Sequence, residues 1–413
     1  MRIMIVYHNI EAVSSIQPSV LPRLLLTQRA GRDTLDTTVI CAEENAAQRK
    51  EDSVNFCVPA AGRERLRFTL LLAGFVLVFL VSFAVGRYSV APGKTCCILL
   101  DALLRRAGEL ANRLPFADAE WGLAPFWTSA EAAVVLNVRL PRILAAALIG
   151  AALSVAGVSY QGMFRNPMVS PDLLGASTGA GFGAALALLL SMNYFAVTLS
   201  AFLFGLAAVM LAYLISRRSR MDITLSMVLA GMMISSLFTS GTSLIKLLAD
   251  TESQLPAITY WLMGSLTSVR GRDVRFAALP VLLGILPLLL LRWRINLLTL
   301  SEAEARSMGV DTRRLRLTVI FCATLMTAAS VSISGMIGWV GLVIPHFCRM
   351  IFGYDYRRLL PASALLGGAF LMLVDDLART IATSEIPLGI LTSFVGAPVF
   401  LYLILSGGHD HGD

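Results

Sequence analysis

Between Leu173 and Ser216 the chain runs 44 residues without an Asp, Glu, Lys or Arg. One helix of that length would be about twice as long as a hydrocarbon core roughly 30 Å thick. The stretch therefore reads as two membrane spans, turning near Asn193. Charge-free runs at Phe68–Gly86, Ile143–Phe164, Ile223–Ile245 and Phe276–Leu291 each suit one further span. Leu317–Cys348 holds His346 as its one basic group and is too long for a single crossing. Gly335, Gly338, Gly341 and Pro345 are expected to break it into two short spans. Leu359–Val374, extending to about Ile381, and Ile386–Ser406 bring the count to ten. The expected fold is all-α, a polytopic membrane protein.

Composition agrees. Hydrophobic residues make up 56% of the chain and charged residues 15%, against roughly 25% charged in soluble domains. The net charge of +7 reads as an orientation signal under the positive-inside rule, so no nucleic-acid partner is inferred. An even span count puts both termini on one side, here the cytoplasm. Arg63, Arg65, Arg67, Arg165, Arg217, Arg218, Arg220, the Arg292–Arg316 group, Arg349, Arg357 and Arg358 then lie inside. Arg139, Arg142, Arg270, Arg272, Arg275 and Arg379 are the exceptions, at the outer ends of spans.

Residues 1–62 are polar, lack sustained periodicity and lack the apolar core of a signal peptide. They read as a poorly ordered cytoplasmic extension or as an over-long translated start. Residues 63–406 form the membrane domain and 407–413 a solvated tail. The six scattered cysteines show no metal or disulfide spacing, and no metal or cofactor is expected. Gly93-Lys94-Thr95 is no phosphate-binding loop, because Tyr88 stands where that pattern needs glycine. The chain therefore carries no nucleotide site of its own.

The one long polar, helix-prone segment in the second half is Leu300–Arg316, with Thr299 leading it. Ser301 and Glu304 have the spacing of a capping box, Gly309 supplies a stop, and Arg313, Arg314 and Arg316 follow. A short capped helix between two spans reads either as a handle for a second protein or as a solvated loop. Gly175, Gly179 and Gly183 recur every four residues and are expected on one close-packing face of the third span. Arg139 and Arg142, three apart, read either as snorkelling side chains or as a cationic rim for a partner's carboxylates. Asp375 and Asp376 fall inside a span with Arg379 one turn on, a spacing that allows an internal ion pair.

Several motifs together resemble the FecCD family, permease subunits of type II ATP-binding-cassette importers for ferric siderophores, haem and cobalamin. They are RLPRILAAALIGAALSVAG at 139–157, QGMFRNPMVSPDLLGASTGAG at 161–181 and EAEARSMGV at 302–310. SGMIGWVGLVIPHFCR at 334–349, DYRRLLPASALLGGAFLMLVDDLAR at 355–379 and EIPLGILTSFVGAPVFLYLIL at 385–405 continue the series. The resemblance runs from about 65 to 406. It departs at Trp339, where phenylalanine is usual, and at Met168 and Val169, where Leu-Ala is common.

The resemblance implies an inner-membrane permease with no enzymatic activity, paired as a homodimer or with a sister permease. It implies two ATPase subunits inside and a periplasmic or lipid-anchored binding protein outside. By analogy Ser301, Glu302, Glu304, Ala305, Arg306 and Gly309 form the ATPase-coupling helix. Arg139, Arg142 and Arg379 would meet acidic residues of the binding protein. Met227, Met232, Ser235 and Ser236 would line the translocation path. The expected cargo is an iron chelate, with cobalamin or another metal chelate as the alternative. A lipid-modifying membrane enzyme finds no convergent catalytic set in the sequence. An ion-coupled carrier is disfavoured by the scarcity of acidic residues within spans.

Overall fold

A computed structural model describes residues 60–112, 122–220, 222–300 and 302–406. Most of the expected amino-terminal extension, Ser301 and the 407–413 tail lie outside these residues. Fourteen helices follow in order, with no strand among the described residues. They are α1 Ala60–Ala84, α2 Pro92–Ala111, α3 Ser129–Phe164, α4 Ala176–Leu189 and α5 Tyr194–Arg218. Then come α6 Ile223–Leu248, α7 Gln254–Leu262, α8 Gly271–Leu290, α9 Arg292–Leu298 and α10 Glu302–Ser307. The last four are α11 Thr312–Ser334, α12 Val340–Phe352, α13 Tyr356–Thr380 and α14 Leu388–Ser406.

Seven helices are long and apolar enough to cross a membrane: α1, α3, α5, α6, α8, α11 and α13. Three shorter apolar helices, α4, α12 and α14, bring the set to ten. Helices α3, α11 and α13 are buried over most of their length, while α1 faces outward along nearly all of its own. The bundle has two ends. At one, Arg67 donates to the Ile351 carbonyl at 2.7 Å and Glu64 meets Arg358 at 2.5 Å. At the other, Ser82 donates to Asp376 at 2.6 Å and Arg87 to the Ala382 carbonyl at 2.8 Å.

The middle is built on glycine, because helices in lipid associate by close backbone approach. A Cβ on Gly157 of α3 would lie 1.9 Å from the Gly341 carbonyl oxygen of α12. One on Gly150 would lie 2.1 Å from the Gly367 carbonyl oxygen of α13. Gly341 also abuts the Leu153 carbonyl and Pro171, so α12 and the turn Pro171–Leu174 before α4 start at mid-depth. That is why α4 and α12 are short: each begins where a full span would be half complete. Backbone at this depth needs partners inside the protein. Gln161 supplies them, donating to the carbonyls of Val169 at 3.1 Å and Gly341 at 3.4 Å while accepting from Arg349.

Two expectations are corrected here. The run 317–348 does not split into two short spans, since α11 is a full-length helix and the break falls at 335–339. Gly341 and Pro345 lie inside α12, where Gly341 serves contact with α3 and Pro171. Nor does Gly175 share a helical face with Gly179 and Gly183. It adopts φ 88° before α4 begins, whereas the other two face α5, where an added Cβ would lie 2.6 Å from the Phe204 carbonyl oxygen at Gly179 and 2.6 Å from the Ser200 carbonyl oxygen at Gly183.

Candidate functional site

Helices α9 and α10 form an arm that joins α8 to α11 at the Glu64–Arg358 end of the bundle. Ile295, Leu298 and Ala305 are buried on its underside, while Glu302, Arg306 and Met308 face out. Arg306 donates to Glu302 at 2.9 Å, and Thr312 reaches the same carboxylate at 3.3 Å. The helix stops in a Schellman turn. The Val310 amide bonds the Ala305 carbonyl at 3.2 Å and the Gly309 amide bonds Arg306 at 2.9 Å, with Gly309 at φ 77°. Asp311 then caps α11 by accepting from the amides of Arg313 and Arg314. The capping role expected of Ser301 falls outside the described residues.

The arm is tied down by residues that sequence reasoning did not single out as functional. Arg165, the left-handed C-cap of α3, donates to the carbonyls of Leu298, at 2.9 Å, and Leu300. Asn296 donates to Asp355 at 2.7 Å and accepts the Tyr356 amide at 2.9 Å. Burial pushes the Asp355 carboxyl up, but Asn296 and the Arg357 amide outweigh it and hold the group below its ordinary range. The arm is thus bonded to α3 and to the start of α13 as well as joined in sequence to α8 and α11. The available signal was the polar character of Asn296 within the apolar stretch Ile295–Leu298.

The opposite end holds a buried charge network. Arg142 bonds Asp375 at 2.9 Å and Glu385 at 2.9 Å. Arg379 lies 3.3 Å from Asp375 and also pairs with Asp376, which accepts from Ser82. Arg139 donates to the carbonyls of Phe83 and Tyr88. Arg139, Arg142 and Arg379 are 3%, 5% and 6% exposed, so the open cationic rim expected of them is not what they form. Desolvation of these charges is offset by mutual pairing, and the pairs lock α1, α3 and α13 together. Exposed arginines at this end include Arg87, Arg105, Arg106, Arg270, Arg272 and Arg275. Three of these, Arg106, Arg270 and Arg275, flank a cleft of ≈ 560 Å³.

Helix α6 presents an open face carrying Met232, Met233, Ser236, Leu237 and Ser240, with Ser235 half-buried beside it. Met227 is 2% exposed and belongs to the core, so it leaves the set of expected path residues. Asp172 is a further carboxylate within the bundle, besides Asp375 and Asp376. The turn Pro171–Leu174 carries it to mid-depth, where the Ser177 hydroxyl donates to it. The sequence reading counted no acid there because the turn lies between apolar runs.

An all-helical bundle with ten apolar helices, charge networks at its two ends and a tethered helical arm defines a polytopic membrane protein of the transport class. The FecCD transport family model matches residues 71–406, and the chain belongs to that family. It is similar to the molybdate import system permease protein of Haemophilus influenzae, 42% identical over 278 residues, 67% of this chain and 82% of the relative. It is also similar to the hemin transport system permease protein of Yersinia pestis, 34% identical over 342 residues, 81% of this chain and 95% of the relative. A solved ABC transporter assigned to the metal-chelate type, in an inward-facing conformation, superposes with a TM-score of 0.71 at 37% identity. It covers 83% of this chain and 99% of its own.

Proposed function

We propose that this chain is the permease subunit of an ATP-binding-cassette importer that carries an iron chelate, a ferric siderophore or haem, across the cytoplasmic membrane. The observation that carries the reading is the family match over 71–406 joined to an arm tied to the span ends through Arg165 and Asn296. Two copies of a partner ATPase grip Glu302, Glu304, Arg306 and their neighbours up to Gly309. Their nucleotide cycle moves the arm. The ties at Arg165 and Asn296 pass that motion to α3 and α13, so the bundle rocks as one body. A second permease copy completes the path along α6, past Met232, Ser235 and Ser236. With the arm end in the cytoplasm, both termini lie inside.

Outside, a binding protein docks its acidic lobes on Arg106, Arg270, Arg272 and Arg275. Arg139, Arg142 and Arg379 hold the platform beneath, since their guanidinium groups already have internal partners. Exposed pairs contribute about 0–1 kcal/mol each, so they set register and encounter rate more than affinity.

A second reading, molybdate as cargo, is favoured by the Haemophilus influenzae relative. The open face of α6 supports the chelate instead. From Met232 to Ser240 it offers thioethers and hydroxyls, with no cation to replace the water around a bare oxyanion. The test is uptake into proteoliposomes holding the permease, its ATPase and its binding protein. ATP-dependent accumulation of a ferric siderophore or haem, with no accumulation of molybdate, is expected. Molybdate uptake alone would replace the cargo assignment, and uptake by the permease without the ATPase would overturn the class.

A further inference from the structure

At the arm end, a cleft of ≈ 300 Å³ opens between α10, the α5–α6 turn and the start of α11. Its polar wall carries Arg217, Arg306, Arg313 and Arg316 against two carboxylates, Asp222 and Glu302. Both acids are already engaged. Glu302 accepts from Arg306 at 2.9 Å, and Asp222 accepts the amides of Thr224 and Leu225 at 2.8 and 3.1 Å. Positive charge is therefore in surplus. Arg316 Nε is sealed from solvent without a hydrogen-bond partner among the described residues. A buried guanidinium N–H left in that state asks for an acceptor.

The cleft does not close at its deep side. Tyr213, Leu317 and Ile320 also line a second cavity, an almost wholly apolar groove of ≈ 290 Å³ between α5 and α11. Leu206, Val209, Met210, Phe321 and Thr324 complete the groove. Helices α5 and α11 run antiparallel, so 213 to 206 and 317 to 324 both lead away from the arm. At 1.5 Å per residue the groove extends about 10 Å toward the bilayer centre. Met210 and Phe321, 55% and 63% exposed, leave it open on the lipid side. A cationic head continuous with an apolar slot is the shape of a phospholipid and not of a free anion.

We infer that this double cavity is a binding site for an anionic phospholipid, with the headgroup phosphate among the four arginines and one acyl chain in the α5–α11 groove. The inference rests on the membrane-transport reading only in requiring that this end sits at a bilayer surface. Basic pockets between spans are fitted to such headgroups. Because Arg306 and Glu302 belong to the arm, an occupied site joins the arm to the α5–α6 turn through the bound phosphate.

The test uses the full chain purified in detergent, without ATPase or cargo, so its outcome is independent of the import reading. Retained lipid is counted by native mass spectrometry, and melting temperature is followed against phosphatidylglycerol, phosphatidylcholine and inorganic phosphate. Phosphatidylglycerol is expected to stay bound and raise the melting temperature, phosphatidylcholine to do so weakly, and phosphate to do neither. Replacing Arg217, Arg313 and Arg316 by Gln should weaken phosphatidylglycerol binding about fivefold per arginine. The same three changed to Lys should retain it, and Arg105→Gln, distant from the cleft, should leave it unaltered. If phosphate alone reproduces the shift, the site takes a free anion and the lipid assignment falls. If the Gln variants, still monodisperse, retain phosphatidylglycerol like the parent chain, the site does not exist. Loss of binding in the Lys variants as well would equally overturn the charge assignment.

Discussion

At the scale of single residues, the buried polar side chains carry specific loads. Gln161 is the side chain that accepts from Arg349, whose second terminal nitrogen finds no partner among the described residues. Gln161→Leu leaves that cation without its acceptor. A hydrogen bond to a charged group contributes about 1.5–3 kcal/mol, so the melting temperature in detergent should fall accordingly, and Gln161→Glu, which keeps an acceptor, should lose less. Glu385 behaves differently because it lies in the loop before α14. Burial pushes its carboxyl up, but the Thr267 hydroxyl and the Arg142 guanidinium outweigh that and hold it below its ordinary value of 4.5. A depressed carboxyl stabilises the fold fully above that value, and the contribution is lost as pH falls below it. Melting followed from pH 7 to pH 3.5 should therefore show a smaller acid-side decline in Glu385→Gln than in the parent. None of these partners could be named from the sequence, since Gln161 and Arg349 stand 188 residues apart.

Among the elements, the arm was the most legible. Its helix, its stop at Gly309 and its exposed acidic and basic residues all follow from local spacing, because capping and left-handed turns are settled within six residues. A Cβ at Gly309 would meet nothing within 4 Å, so Gly309→Ala costs only the left-handed backbone, about 1–2 kcal/mol. The expected outcome is a loosened arm with span packing intact, read as faster hydrogen exchange over 302–310 and unaltered exchange in α3. What local spacing did not reveal was how the arm is held. Arg165→Ala and Asn296→Ala together should leave membrane insertion unchanged and reduce ATP-coupled uptake by at least tenfold. Undiminished uptake would show that α8 and α11 alone transmit the motion. The same blindness explains Arg139, Arg142 and Arg379. Charges near a span end look exposed in sequence, and only their apposition to Asp375, Asp376 and the ends of α1 buries them.

For the molecule as a whole, stability concentrates where α3 meets α12 and α13 at mid-depth. Gly157→Ala would set a methyl carbon 1.9 Å from the Gly341 carbonyl oxygen, and overpacking of this kind costs about 1–3 kcal/mol. Lower yield of folded protein and a reduced melting temperature are expected, whereas Gly74→Ala, with open space around it, should change neither. The linear chain by itself determined the all-helical class, the ten apolar segments and the polar arm, because each rests on composition or on contacts within one or two helical turns. Only the tertiary structure decided that α4 and α12 start at mid-depth, that Asp172 is drawn inside, and that the arm is tied to α3 and α13. Those outcomes depend on helices far apart in sequence approaching through glycine to backbone distance, and no local pattern encodes which faces will meet.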